Sequence, residues 1–290
     1  MREEFEKHLA NEIEKYRGVA FPVKSSIFHR LVAKKVSCLG LHPNPDDEFS
    51  KPGVGPSFRI ISEYENKLRK DKEYEVKTVA DPIVVEKMHP DGYMIINGHH
   101  RWAAYYRLGF NKVPVTIVNL THEEDIKRML ENASNDKRVT LDLDEVVFCS
   151  SDIEAAEKKP GFPFGEFYKE RIRLGIPALF HYLQGKGYDI WVYSAKFYSM
   201  DYIRNYLKKY HVDITGIVTG TSKKSDINSE AKNDIDRMIA GKYRFTLHVD
   251  SKTVLKINNL TKDFQEFTID ENENWSQGVM NIIGELKEDV

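Results

Sequence analysis

Cysteine is scarce in this 290-residue chain: Cys38 and Cys149 are too few and too far apart for a disulfide framework or a cysteine metal cluster. A reducing compartment fits that scarcity. Long apolar runs are missing as well. No stretch of about 18 apolar residues occurs, and the N-terminal MREEFEKHLANEIEKYRG reads as a charged amphipathic helix without the apolar centre of a signal peptide. A cytoplasmic protein with no membrane partner is expected. An excess of one charge is also lacking, since 43 Lys and Arg stand against 45 Asp and Glu for a formal net charge of -2. That balance gives no global attraction to nucleic acid, so a nucleic-acid-binding regulator whose second half is inactive stands as the least favoured alternative and would need a local basic patch.

What is present is ordinary globular composition, 41% hydrophobic and 30% charged, with length for two cores of common size. The stretch HPNPDDEFSKPGVGPSF, residues 42–58, is rich in proline and glycine and must be loop, and a loop of that length often carries function. After it come the strand PIVVEKM, a turn at HPDG, the strand YMIING, a helix from Trp102 to about Leu108 and the strand VPVTIV, which make a compact α+β unit. The polar helix from Thr121 ends at ASNDK, and the pattern changes there. The expected domains are therefore 1–134 and 135–290.

In the second domain VTLDLDEVVF, YDIWVYSA, ITGIVTG and FTLHVDS alternate with helical stretches, which predicts an α/β fold with a parallel sheet and right-handed crossovers. Alternation along the first strand places Val139, Leu141 and Leu143 on one face and Thr140, Asp142 and Asp144 on the other. Taken alone, that pair of acids also suits an edge strand with a solvated face. Two further strands end in polar residues, Ser194 and Asp250, and in an open parallel sheet such endings converge at the carboxyl edge, where ligands bind.

These three endings resemble the motifs of the haloacid dehalogenase (HAD) superfamily over residues 137–290: Asp142-Leu143-Asp144, then Ser194 in VYS, then Asp250 in HVDS. The resemblance implies a Rossmann-like domain without a large cap, acting as a phosphatase on a phosphorylated small molecule or nucleotide. It implies Asp142 as the nucleophile that forms an aspartyl phosphate, Asp144 as general acid and base, and Ser194 as a phosphoryl hydrogen-bond donor. Mg2+ would be held by Asp142, the backbone carbonyl of Asp144 and Asp250. The family's lysine is expected in TGTSKKSD, at Lys224 in preference to Lys223. Ser251 stands where many members carry a second acid, for which Asp226 is a candidate substitute.

In the first domain YMIINGHHRWAAYYRLGFNKVPVTIV runs strand, turn, helix, strand, with Asn97-Gly98 as the turn. Amide groups at the helix start, with His99, His100 and Arg101, suit an anion such as phosphate; a surface turn with Arg101 paired to a nearby acid is the plainer alternative. Residues 76–118 resemble the ParB/sulfiredoxin fold, whose Gly-x-His-Arg or Gly-x-Arg-Arg turn cradles nucleotide phosphates. The resemblance makes Gly98, His99, His100 and Arg101 phosphate-binding candidates and ATP or ADP the candidate ligand. His99 occupies the place of the sulfiredoxin cysteine, so sulfinic acid reduction is not expected. A branch of the fold phosphorylates free serine through an Asp-Gly-His-His-Arg turn, and here Asn97 replaces that Asp. The acidic run Asp46-Asp47-Glu48 offers a base or a metal ligand instead, or is a solvated loop.

Overall fold

The computed structural model describes residues 2–73, 81–149, 155–220, 237–270 and 274–286. They fall into two compact units, Met1–Asn119 and Leu120–Val290. In the first, helix α1 (Arg2–Tyr16) buries Phe5, Leu9, Ile13 and Tyr16, apolar residues recurring at helical spacing. Six strands follow: β1 (Phe21–Pro22), β2 (Lys35–Ser37), β3 (Leu41–His42), β4 (Ile83–His89), β5 (Tyr93–Asn97) and β6 (Lys112–Val118). They form a sheet of order β2-β6-β4-β5-β3, with β1 paired to β4. Both directions occur: β4 runs parallel to β6 and antiparallel to β5.

Helices α2 (Ile27–Val32), α3 (Phe58–Glu73) and α4 (His99–Arg107) complete this unit. Helix α4 begins at His99, ahead of the Trp102 start expected from sequence. The reason is Gly98, whose φ of 102° lies in the left-handed region and turns the chain straight from strand into helix. Trp102, Ala103 and Ala104 then face the core, and an Arg107–Glu65 ion pair of 3.1 Å ties α4 to α3. The segment 43–57 is a succession of turns without strand or α-helix, one of them a short 3-10 turn at Glu48–Ser50, as its prolines and glycines require.

In the second unit the strands are β7 (Lys137–Asp142), β8 (Tyr188–Ser194), β9 (Gly216–Thr219), β10 (Phe245–Val249), β11 (Thr253–Asn258) and β12 (Phe264–Thr268). Helices α5 (Glu123–Glu131), α6 (Phe164–Phe167), α7 (Ile176–Gly185), α8 (Met200–Lys208) and α9 (Trp275–Glu285) accompany them. The sheet order is β12-β11-β10-β7-β8-β9. Strands β10, β7, β8 and β9 are parallel, whereas β11 and β12 are antiparallel, which corrects the expectation of a parallel sheet. The connection 250–252 is too short for a crossover, so the chain doubles back as a hairpin. Helix α5 packs Ile126 and Met129 into this core, and the contacts therefore divide at 119/120, where the sequence suggested 134/135. Among the described residues no helix is long and apolar enough to cross a membrane.

Candidate functional site

Strand β7 lies between β10 and β8, so its carboxyl end is flanked by the ends of both neighbours. The register pairs Asp142 with Tyr193 and Val249 with Leu141, which sets Ser194 and Asp250 one residue beyond. Asp144 does not lie on the strand face with Asp142, as alternation had suggested. The strand stops at Asp142 and residues 143–147 wind into a wide helical turn. The Asp142 carboxylate caps that turn, its Oδ1 accepting the N–H groups of Asp144 at 2.7 Å and Glu145 at 3.0 Å. The two acids are neighbours through the turn.

Ser194, 1% exposed, donates its hydroxyl to Asp144 Oδ2 at 2.8 Å and accepts the Lys196 N–H at 3.0 Å. The Lys196 ammonium lies 3.2 Å from Asp144 Oδ1. Lys196 escaped the sequence reading, although a lysine two residues past a polar strand end is a visible signal. Lys223, Lys224 and Asp226 lie outside the described residues. Asp142, Glu145 and Asp250 line one cleft of about 480 Å³ together with Arg138, Thr140, Tyr193 and His248. Asp250 Oδ1 accepts the Ser251 N–H.

Among the described residues no three carboxylate, imidazole or thiol side chains are grouped to hold a metal. Asp144 turns its carboxyl to Ser194 and Lys196, so a cation in this cleft would rest on Asp142 and Asp250. That donor set, two carboxylates with a carbonyl, water and phosphate oxygens completing the shell, suits a hard cation such as magnesium.

In the first unit both imidazoles of the turn at Gly98 have a ring nitrogen engaged by the loop 43–57. His99 is 5% exposed, and its Nε2 accepts the Asn44 N–H at 3.2 Å. His100 Nε2 accepts the Ser57 N–H at 3.1 Å. Phe49 packs between them, stacked on His99 with ring centroids 5.3 Å apart and edge-on to His100 at 5.0 Å. Both imidazoles thus pin the 43–57 loop down by their ring nitrogens, an arrangement that needs the neutral ring. The loop in turn carries Asp47 to 3.6 Å from His99 Nδ1. An acid of the run 46–48 is therefore brought to the turn.

Arg101 is partly exposed and held in place. Its Nη1 donates to the Asp81 carbonyl at 2.6 Å and its Nη2 to Asn97 Oδ1 at 2.9 Å. Asn97 thereby serves as a neutral tether for the guanidinium, whose other donors remain for a ligand. A side chain at position 98 would be strained at φ 102°, and its Cβ would come within 2.9 Å of Arg101 Nη2.

Burial pushes the His99 imidazole down to about 4, against the opposing pull of Asp47, and the His100 ring is also lowered, chiefly by burial. An unfolded imidazole takes up its proton near 6.5. The unfolded chain therefore binds more protons between about pH 4 and 6.5, so this contribution is full above 6.5 and is lost as pH falls toward 4. Melting curves should show Tm falling across that window, with a flatter fall in His99→Gln. An identical slope in the variant would contradict the buried neutral imidazole.

Residues 62–133 match the ParB N-terminal domain family. Over 107 residues the chain is 29% identical to a protein described as an ATP-dependent L-serine kinase from Desulfurococcus mucosus, covering 33% of this chain and 40% of that protein. A protein of the same description from Staphylothermus marinus is 43% identical over 47 residues, 16% of this chain and 18% of that one. The chain thus spans less than half the length of these curated relatives. Among solved structures, the C-terminally truncated chromosome-partitioning protein ParB of Caulobacter crescentus, complexed to the centromeric parS site, is 25% identical. That match covers 34% of this chain and 46% of the other, with a TM-score of 0.22.

Proposed function

We propose that the chain is an enzyme of phosphoryl transfer with one site in each unit. The first unit is a nucleotide-dependent kinase whose acceptor is a small hydroxyl compound such as free serine. The relatives described as ATP-dependent L-serine kinases support this reading. The observation that carries it is the convergence of an anion-ready helix start, the tethered Arg101 and Asp47 within one loop-covered turn. The amides of α4 and Arg101 take the phosphates of ATP. Asp47 supplies the carboxylate that the Asn97 substitution removed, accepting the acceptor's hydroxyl proton as it attacks the terminal phosphorus. Titration calorimetry with ATP tests the premise: binding is expected, and no heat of binding at any nucleotide concentration would sink it.

A second reading concerns the second unit, and it rests on the strand-end cluster. Asp142 and Asp250 line one cleft past β7 and β10, and the hydrogen-bonded pair Asp144–Ser194 stands beside it at the end of β8, which supports a phosphohydrolase of the haloacid dehalogenase type. Asp142 attacks phosphorus and the leaving oxygen takes the proton of Asp144. Water then attacks the aspartyl phosphate and returns a proton to Asp144. Magnesium, when bound at Asp142 and Asp250, neutralises the phosphoryl charge beside the carboxylates. Lys196 keeps Asp144 oriented and places a positive charge at the same edge.

A further inference from the structure

The cleft beside Asp142 contains a charge that the phosphohydrolase chemistry does not use. Arg138 is the second residue of strand β7 and shares a face with Thr140 and Asp142, by the alternation of the strand. It is 7% exposed, yet it lines the same cleft. Its Nε donates to Thr246 Oγ1 at 2.9 Å and its Nη1 to Tyr193 OH at 3.3 Å. The Tyr243 ring lies beneath it, 5.6 Å from centroid to Cζ. All these partners are neutral.

Asp189 is the cross-strand neighbour of Arg138. It turns its carboxylate elsewhere, accepting from Asn135 Nδ2 at 2.8 Å and from Tyr243 OH at 3.0 Å. Among the described residues no carboxylate forms an ion pair with Arg138. Of the five donors of a guanidinium, Thr246 and Tyr193 occupy two, and the residue itself lines the cleft. A buried cation without a counter-ion is costly to maintain. A ligand anion would relieve that cost.

The direction of the side chain strengthens the point. Tyr193 stands opposite Asp142 in the register, so the bond to Tyr193 draws the guanidinium along the strand toward the reacting end. The Cα atoms of Arg138 and Asp142 are roughly 13 Å apart at the usual strand rise. Thr140 and His248 bond to each other in the stretch between. A molecule lying along the cleft with its phosphate at Asp142 would present its far end to Arg138.

We propose that Arg138 recognises a second anionic group on the substrate, so that the second unit acts on phosphomonoesters that carry another phosphate or a carboxylate at a distance from the scissile one. This rests on the phosphohydrolase reading for the identity of the substrate, whereas the anion site stands on its own geometry. Alkyl phosphates of equal chain length, ending in a methyl, a carboxylate or a second phosphate, separate the cases. With magnesium, the wild type should favour a charged ending by about 10- to 100-fold in kcat/KM, the range of a charge-assisted contact. The better of the two charged endings identifies the anion. Arg138→Met should reduce the preference to within about twofold by the same measure.

Thermal melts give a second readout that needs no turnover. A charged-ended ester should raise the Tm of Asp142→Asn protein and leave that of Arg138→Met unmoved. Without ligand, Arg138→Met should melt at or above the wild-type temperature, since it removes an unpaired buried charge. A substantially lower Tm would mark Arg138 as structural and overturn the proposal. So would equal hydrolysis of all three esters by the wild type, or a preference that survives in Arg138→Met. An Arg138-dependent melting shift with no hydrolysis of any ester would sink the phosphohydrolase reading and leave the anion site standing.

Discussion

Asp142→Asn should abolish magnesium-dependent release of phosphate from a generic phosphomonoester, by about 10³-fold or more in kcat, the scale seen when a covalent nucleophile is removed. The substitution keeps an oxygen to cap the turn at Asp144 and Glu145, so the fold should survive and circular dichroism should be unchanged. The effect is large because the amide is a far weaker nucleophile than the carboxylate and cannot form the aspartyl phosphate. Retained activity in the variant would remove Asp142 from the mechanism. Absence of activity in the wild type with magnesium would remove the mechanism itself.

The second large effect belongs to the first unit. Arg101→Ala should weaken ATP binding by about 100-fold or more, because a guanidinium that gives two charge-assisted bonds to phosphate supplies about 1.5 to 3 kcal/mol for each. The side chain is partly exposed and bonded to Asn97 and the Asp81 carbonyl, outside the buried cluster. Its loss should therefore cost little stability, and calorimetry on the variant reads recognition. Arg101→Lys should recover only part of the affinity, since an ammonium cannot reproduce the fork held between Asn97 and Asp81. Unchanged affinity in Arg101→Ala would place the nucleotide elsewhere.

The strands that position both sites were legible in the sequence because their signals are local. VTLDLDEVVF, YDIWVYSA and FTLHVDS supplied β7, β8 and β10 in the order that brings Asp142, Ser194 and Asp250 to one edge. The hairpin β11–β12 was also written locally, in TVLKIN and FQEFT around the turn at NLTKD, but its signal went unread beside the stronger alternation of strand and helix. Asp144 shows the limit of period-2 reasoning: the alternation ends where the Asp142 carboxylate caps a turn.

The imidazoles of His99 and His100 were illegible for another reason. Their partners, Asn44 and Ser57, are 55 and 43 residues away, and they are backbone amides with no residue-type signature. Arg138 likewise reads as an ordinary polar position at a strand start. Only the tertiary environment shows that its partners are neutral and that the carboxylate of its cross-strand neighbour Asp189 is engaged by Asn135 and Tyr243.

The most direct measurement is phosphorus NMR of the full chain incubated with ATP, magnesium and L-serine. The expected result is growth of ADP together with a new phosphomonoester resonance that requires serine and is lost in Arg101→Ala. Inorganic phosphate released from that ester, if it serves the second unit as substrate, should disappear in Asp142→Asn while the ester accumulates. An ATP spectrum that stays unchanged over hours, with serine and with other small hydroxyl compounds, would contradict phosphoryl transfer by the first unit.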